Sequence, residues 1–165
     1  MAFIVYTTQH IILKSMAMMN TDFKTIENFK TGKVHDFIAA MTRKLQAVQD
    51  ITSNPLSLSQ KANLAINEEA QEVMEKISKE IVVERREAMK RGERPPFDDM
   101  LSLMVEAKDP QSGLGLSDDE IVAHILTFLI AGHETTSGLL SFAFYLIQTN
   151  PTVEAKAFGT RFLFN

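Results

Sequence analysis

The sequence has no cysteine and no tryptophan in 165 residues. Without cysteine the chain can form no disulfide, no thiolate metal site and no thiol nucleophile, which excludes those kinds of chemistry for its own residues. It also lacks an excess of positive charge, since its formal net charge is −4. Nucleic-acid-binding domains and proteins drawn to anionic membrane surfaces are usually basic, so neither partner is expected here.

The composition is typical of one globular domain with a packed core. Hydrophobic residues make up 45% of the chain and charged residues 23%. Apolar residues recur mostly at helical spacing, there are no repeats, and only residues 3–8 favour a short strand. We therefore predict an all-α fold.

Two helices are predicted in the first half of the chain. Residues 34–48 carry apolar side chains at helical spacing, and Asn54-Pro55 ends that helix. Residues 67–91 form the second helix, which Gly92 and the prolines after it end. Its buried stripe is expected at Val73, Ile77 and Ile81.

A basic cluster lies near the end of the second helix. Glutamates beside it in sequence largely neutralise its charge, so we expect a solvated helix end and not a binding patch. The cluster consists of Arg85, Arg86, Lys90, Arg91 and Arg94.

The second half of the chain is predicted to contain one long helix. A short helix is expected at 97–106 and a turn at 108–113, before the capping-box pattern Ser117-x-x-Glu120. The helix that this pattern opens should reach Thr149, which gives it a length of about 45 Å. The next helix is predicted to begin at Pro151.

The long helix contains an apolar run, residues 121–147, with the polar cluster His133-Glu134-Thr135-Thr136-Ser137 near its middle. An apolar run of this length could cross a bilayer, but the polar cluster favours a buried helix in an all-α domain. Small residues beside two threonines also loosen the hydrogen-bond ladder of a helix, which often happens at functional sites.

Several kinds of site are compatible with the polar cluster. A zinc-protease motif is excluded because Ser137 stands where His-Glu-x-x-His needs its second histidine. A Ser/His/Asp triad would need distant residues to converge, and no nucleophile elbow is present. A buried helix with an internally satisfied polar cluster, without catalytic function, also fits the residues.

The segment Ala131-Gly132-His133-Glu134-Thr135-Thr136 resembles the signature of the long central helix of cytochrome P450 monooxygenases. Its flanks are similar to those of self-sufficient fatty-acid hydroxylases, whose heme domain is fused to a diflavin reductase. The resemblance is strongest over residues 97–156, weaker over 34–94, and weakest over 1–33 and 157–165. It implies that residues 1–165 are a single incomplete heme domain, with one long central helix and several helices packed around it.

The resemblance also implies roles for individual residues. Thr135 would hold a water or the bound oxygen and help to deliver protons to it, and Glu134 would belong to the proton relay. His133 is expected to point away from the iron. The implied cofactor-binding residues are Phe128, Ala131, Gly132 and Thr136. The implied substrate-lining residues are Thr127, Ile130 and Ala131.

The family holds its heme iron with a cysteine thiolate, which this chain lacks, as it lacks the family's Glu-x-x-Arg motif. We therefore expect no axial metal ligand and no stable hold on heme within these residues. NADPH, FAD and FMN would act only through a separate diflavin reductase, and the substrate would be small and lipophilic.

Two interpretations of function remain open from the sequence. The first is a heme-dependent monooxygenase, with fatty-acid hydroxylation as the implied reaction, present as a truncated chain. The second is a non-catalytic helical fragment or pseudogene product. In either case an incomplete domain would expose apolar surface and self-associate. A cytoplasmic location is expected, with peripheral membrane association as the alternative.

Overall fold

The computed structural model describes residues 18–21, 23 and 33–159 of the chain. Five α-helices have both ends within these residues, which contain no strand apart from a single bridge between Lys108 and Gly115. The all-α prediction is therefore confirmed, while the stretch 3–8 lies outside the described residues. The helices are α1 (Asp36–Ser53), α2 (Gln60–Lys90), α3 (Met100–Glu106), α4 (Asp118–Thr149) and α5 (Pro151–Gly159).

Helix α1 packs along α2. It begins after His35, whose Nδ1 accepts a hydrogen bond from the backbone N–H of Phe37 at 3.2 Å, and it ends before the predicted break at Asn54. Phe37 is buried and stacks on Phe23, with ring centroids 4.9 Å apart. The buried face also contains two alanines that the apolar spacing did not single out, Ala40 and Ala47.

Helix α2 differs from the prediction in two respects. It begins at Gln60, seven residues before the predicted start at Asn67. Its most buried side chains lie one position beyond the predicted stripe of Val73, Ile77 and Ile81, which is only half-buried. The predicted stripe is wrong because the buried face includes a serine and an alanine. A search for large apolar residues at helical spacing does not pick out these two residue types. That face consists of Ala70, Met74, Ser78 and Val82.

The end of α2 is tied to the segments that follow it. Helix α2 stops at Lys90, and Gly92 then has φ +81°, a left-handed conformation that glycine adopts without strain. The prediction that the basic cluster is a solvated end is wrong for its first two members. Arg85 reaches the fully buried Asp99, and Arg86 reaches Asp118 at the start of α4.

Arg85 and Asp99 form the most buried ion pair among the described residues. Two hydrogen bonds of 2.7 and 2.6 Å join Arg85 Nη1 to the two carboxylate oxygens of Asp99, and Nη2 donates to the carbonyl of Met19 at 2.9 Å. Asp99 also caps α3 by accepting from the backbone N–H of Ser102 at 2.7 Å. The buried Arg85–Asp99 pair thus links α2, the start of α3 and the segment around residue 19.

The predicted turn before α4 is present. Asp109 Oδ1 accepts hydrogen bonds from the backbone N–H groups of Gln111 at 2.9 Å and Ser112 at 2.6 Å. Gly113 has φ +72°, which closes the turn. Hydrogen bonds from the backbone and hydroxyl of Ser112 lower the pKa of the Asp109 carboxyl below its ordinary value.

Helix α4 starts with the predicted capping box. The hydroxyl of Ser117 accepts from the backbone N–H of Glu120 at 3.3 Å, and Glu120 accepts in return from the backbone N–H of Ser117 at 2.8 Å. The backbone bond, followed by a bond from the Ser117 hydroxyl, lowers the pKa of Glu120 below its ordinary value of 4.5.

The capping box makes the stability of α4 dependent on pH. Because the folded-state pKa of Glu120 is depressed, its contribution is complete above 4.5 and is lost as the pH falls through the lower folded value. We expect Glu120→Gln to reduce the loss of stability on acidification, measured as the urea midpoint from about pH 6 to about pH 3. The control Glu80→Gln, at an exposed position of α2, should keep the parent's pH dependence; equal behaviour of both variants would contradict the prediction.

Candidate functional site

Among the side chains that the structure describes, the fully buried ones of α4 all lie in its first part. Ile121, Ile125 and Leu129 lie on its buried face and contact α2 and α3. The helix then continues without interruption through Gly132 to Thr149. The polar cluster therefore lies just past the packed part of α4, where the helix leaves α2.

Thr135 is exposed, and its hydroxyl has a defined partner. Its Oγ1 donates to the backbone carbonyl of Ala131 at 2.7 Å, one helical turn earlier. This bond fixes the hydroxyl proton on the helix but leaves oxygen lone pairs that can accept a hydrogen bond from a water or a substrate group. Thr135 can therefore accept a hydrogen bond from a solvent molecule. It can donate its own proton to another group only when its hydrogen bond to the Ala131 carbonyl breaks.

The side of α4 that carries Thr135 is open. Phe128 is 48% exposed, Ala131 is exposed, and a Cβ added to Gly138 would meet no atom within 4 Å. Gly132 and Thr136, the other predicted cofactor-binding residues, are half-buried. The helix thus presents an uncovered surface of small and aromatic side chains around one hydroxyl.

Three residues of the polar cluster lie in the described helix, but their side chains are not among the described parts of the chain. These are His133, Glu134 and Ser137. The structure therefore gives the backbone position of Glu134, one residue before Thr135, and the expected orientation of His133 stays a prediction.

The three predicted substrate-lining residues share one groove. Thr127, Ile130 and Ala131 line a groove of about 900 Å³ between α2 and α4. Apolar side chains of α4, including Leu126, form its floor, and polar side chains of α2 form the opposite wall. Those polar residues are Gln71, Glu72, Glu75, Lys76 and Lys79.

An ion pair between α2 and α4 is part of the groove lining. Lys79 Nζ donates to Asp119 Oδ1 at 2.6 Å, and this hydrogen bond raises the pKa of Lys79 above its ordinary value. Both side chains are exposed, so the pair contributes little to stability. Within the described residues no three acidic or histidine side chains cluster in a way that could bind a metal ion.

Beyond the polar cluster, α4 exposes large apolar side chains. Leu139 is 69% exposed, Phe142 72%, Tyr145 62% and Leu146 56%. Four such residues on one helix face are more than isolated surface hydrophobics, and such a patch normally contacts another surface. In the part of the chain that the structure describes, no helix is long and apolar enough to cross a membrane.

The family-level comparison agrees with this geometry. The model of the family described as cytochrome P450 matches residues 6–158, so the chain belongs to the cytochrome P450 family. A curated relative, the self-sufficient cytochrome P450 monooxygenase CYP505E5 of Aspergillus niger, is 34% identical over 152 residues, which cover 89% of this chain. The self-sufficient monooxygenase CYP505U2 of Exserohilum turcicum is 38% identical over 135 residues, 79% of the chain.

A solved structure extends the agreement to the fold. The crystal structure of the cytochrome P450DA heme domain is 31% identical and superposes with a TM-score of 0.73 over 94% of this chain. The chain spans 32% of that heme domain, 14% of the A. niger relative and 12% of the E. turcicum relative. The described helices therefore have the arrangement of one part of a P450 heme domain.

Sequence reasoning missed the residues that connect the end of α2 to the starts of α3 and α4. Arg85 and Arg86 were assigned to solvent, although they contact Asp99 and Asp118. Their glutamate neighbours in sequence suggested local neutralisation, whereas their actual partners lie 14 and 32 residues away. The short helix begins at Met100 and not at the predicted residue 97, and Asp99 is its N-cap; aspartate is a preferred N-cap residue, which is a local signal for this start.

Proposed function

We propose that this chain supplies the oxygen-facing helix of a heme-dependent monooxygenase. The observation that carries the proposal is the open side of α4, on which Ala131 and Gly138 leave space around the hydroxyl of Thr135. Membership of the cytochrome P450 family and the self-sufficient monooxygenases among its relatives support it.

The residues present fit one side of a heme and not the other. A flat, mostly apolar group can lie against Phe128, Ala131 and Thr135, because the side chains are small or aromatic and the space beyond them is free. The full sequence has no cysteine, so these residues offer no thiolate for the opposite side of the iron. The bound heme would supply the redox chemistry by which dioxygen is activated.

Within that arrangement, Thr135 would control a proton. Its Oγ1 can accept a hydrogen bond from a water, and loss of the bond to the Ala131 carbonyl would free its own proton for donation toward the oxygen side. Glu134, one residue earlier, would connect this position to solvent protons. Gly132, with Phe128 and Thr136, would complete the surface that faces the cofactor.

The groove would be the substrate side of the site. Its volume of about 900 Å³ falls within the usual range for small-molecule pockets, and its apolar floor suits a small lipophilic substrate. Thr127 and Ile130 line it, and Ala131 lies both in the groove and on the cofactor side, so it marks where substrate and cofactor would meet. Fatty-acid hydroxylation is the reaction that we propose.

The complete system would need an electron donor. We propose a diflavin reductase, fused or separate, that takes electrons from NADPH through FAD and FMN. The names of the relatives describe them as self-sufficient, which supports a reductase partner. The proposed location is cytoplasmic, with peripheral contact to a membrane as the alternative.

The proposal can be tested by segment exchange. Residues 97–156 would replace the matching segment of the P450DA heme domain, which supplies its own thiolate. The carbon monoxide difference spectrum of the reduced protein then shows whether a thiolate-ligated heme is held, with the unexchanged domain as the control. The thiolate-type spectrum is expected; a folded, helical exchange protein that holds no heme would contradict the proposal.

The second candidate is a non-catalytic helical fragment or pseudogene product, favoured by the absence of cysteine. Sequencing the transcript past the codon for Asn165 separates the two candidates. An in-frame Glu-x-x-Arg motif and cysteine loop would favour the monooxygenase. A stop codon with neither motif nearby would favour the non-catalytic fragment.

The exposed apolar part of α4 predicts self-association of the 165-residue chain. Phe142→Glu should shift the chain toward monomer in sedimentation velocity, because it places a charge in the patch formed by Leu139, Phe142, Tyr145 and Leu146. The control Leu58→Glu changes a fully exposed leucine outside this patch and should leave the distribution of species unchanged. A monomeric parent chain at high concentration would refute the prediction.

A further inference from the structure

Two adjacent arginines near the end of α2 contact two different segments. Arg85 binds the buried Asp99 at the start of α3, whereas Arg86 contacts the start of α4. Arg86 Nε donates to Asp118 Oδ1 at 2.5 Å, and its Nη2 donates to the carbonyl of Leu116 at 2.6 Å. A single planar guanidinium therefore contacts both a side chain and the backbone at the first turn of α4.

The remaining contact between α2 and α4 is mostly apolar and therefore does little to fix the relative orientation of the two helices. The buried side of α2 contains the small residues Ala70 and Ser78, which offer a smooth surface to a neighbouring helix. Apolar burial is non-directional, so it resists separation of the helices more than tilting or sliding. A rigid guanidinium with two fixed partners restrains both of those movements.

Because α4 is long, a small change in the orientation of its first turn causes a large displacement further along the helix. Thr135 lies 17 residues after Asp118, or about 26 Å along the helix axis, and the helix is not packed on α2 at that point. A tilt of about 10° at the first turn would displace Thr135 by roughly 4 Å at this rise per residue. Displacements of about 1 Å already reduce the rates of enzymes strongly.

We infer that Arg86 is a positioning residue that sets the tilt and axial register of α4 and thereby places Ala131 and Thr135. The functional part of this inference rests on the proposed monooxygenase function, while the structural part concerns the described chain alone. Arg86 and Asp118 are suited to this task because their side chains are only 27% and 31% exposed. The parallel pair Lys79–Asp119 also joins α2 to α4, but at 54% and 83% exposure it restrains the helix little.

The absence of native cysteine allows a direct test in the heme-free chain. Glu80→Cys on α2 and Leu139→Cys on the free part of α4 provide two exposed sites for nitroxide labels, whose separation pulsed electron paramagnetic resonance measures. The labels are placed in the Phe142→Glu background, which is expected to shift the chain toward monomer. Arg86→Gln and, from the other side of the contact, Asp118→Asn are compared with the matched control Lys79→Gln.

The inference predicts that Arg86→Gln and Asp118→Asn shift or broaden the distance distribution by several ångströms. A tilt of about 10° moves a label at position 139, about 32 Å from Asp118, by roughly 5 Å. Lys79→Gln should leave the distribution unchanged, and Arg86→Lys should restore it only in part because an ammonium lacks the planar fork.

An unchanged distribution in helical Arg86→Gln and Asp118→Asn variants would overturn the inference. Loss of the helical circular-dichroism signal in both variants would also overturn it, because the contact would then be needed for folding and not for register. Since no heme is present in this experiment, its outcome is independent of the proposed function. In a P450DA heme domain in which residues 60–156 are exchanged, so that Arg86 and Lys79 are included, Arg86→Gln should then alter the heme absorption spectrum, which reports a shifted α4, while Lys79→Gln should not.

Discussion

Replacing Arg85 with methionine is expected to lower the free energy of unfolding by about 3–5 kcal/mol. The substitution leaves the carboxylate of Asp99 charged, with its side chain fully buried and without the two hydrogen bonds of 2.7 and 2.6 Å from Arg85. It also removes the hydrogen bonds that Arg85 donates to the hydroxyl of Ser102 and to the carbonyl of Met19. Urea denaturation followed by circular dichroism measures the change.

The same substitution at an exposed arginine is the matched control. Arg43 pairs with Glu69 at 3.3 Å, with side chains 48% and 62% exposed, so Arg43→Met should cost about 1 kcal/mol or less. The double variant Arg85→Met with Asp99→Leu should recover part of the loss, because it leaves no unpaired buried charge. It should not recover all of it, since Asp99 also caps α3. Equal costs for Arg85→Met and Arg43→Met would contradict the account of this pair.

Thr135→Ala is expected to reduce the product formed per NADPH consumed by roughly tenfold or more in the exchanged heme domain supplied with a diflavin reductase, since positioned proton donors and acceptors contribute about 10²–10⁴-fold. The substitution removes the hydroxyl that donates to the carbonyl of Ala131 on the open side of α4. Without this hydroxyl, electrons would still reach the site, but no positioned group would deliver protons from this side of α4. The consumption of NADPH and the formation of product are measured in the same reaction.

Thr149→Ala is the control for this prediction. Thr149 makes the same kind of bond, from its Oγ1 to the carbonyl of Tyr145 at 2.9 Å, but it lies at the end of α4. Its removal should leave the coupling between NADPH and product unchanged. If Thr135→Ala and Thr149→Ala behave alike, the effect is one of helix stability, and the proposed proton role of Thr135 fails.

The long helix was predictable because its signals are local. The Ser117-x-x-Glu120 pattern identified the capping box, and Asn150-Pro151 marked the boundary between α4 and α5, which the structure confirms. The resemblance to cytochrome P450 rested on residues adjacent in sequence, around Thr135, and the family comparison confirms it. The bond from Thr135 to Ala131 is local as well, since it spans one helical turn.

The packing of α2 was not predictable to the same degree because its contacts are distant in sequence. Apolar spacing placed the stripe one residue from the true face, since Ala70 and Ser78 gain their burial only from the neighbouring helices. Charge spacing likewise paired Arg85 and Arg86 with nearby glutamates, whereas Arg85 binds the buried Asp99, 14 residues away. Propensity and patterning describe single elements, and such partners are set by tertiary packing.

The central claim is that the side of α4 bearing Ala131 and Thr135 faces the heme. The crystal structure of the exchanged heme domain tests it most directly. The account predicts that the Cβ of Ala131 lies within about 4.5 Å of a heme atom, which is contact distance, with the hydroxyl of Thr135 on the same side. A structure in which both residues point away from the heme, while the helix stays intact, would contradict it.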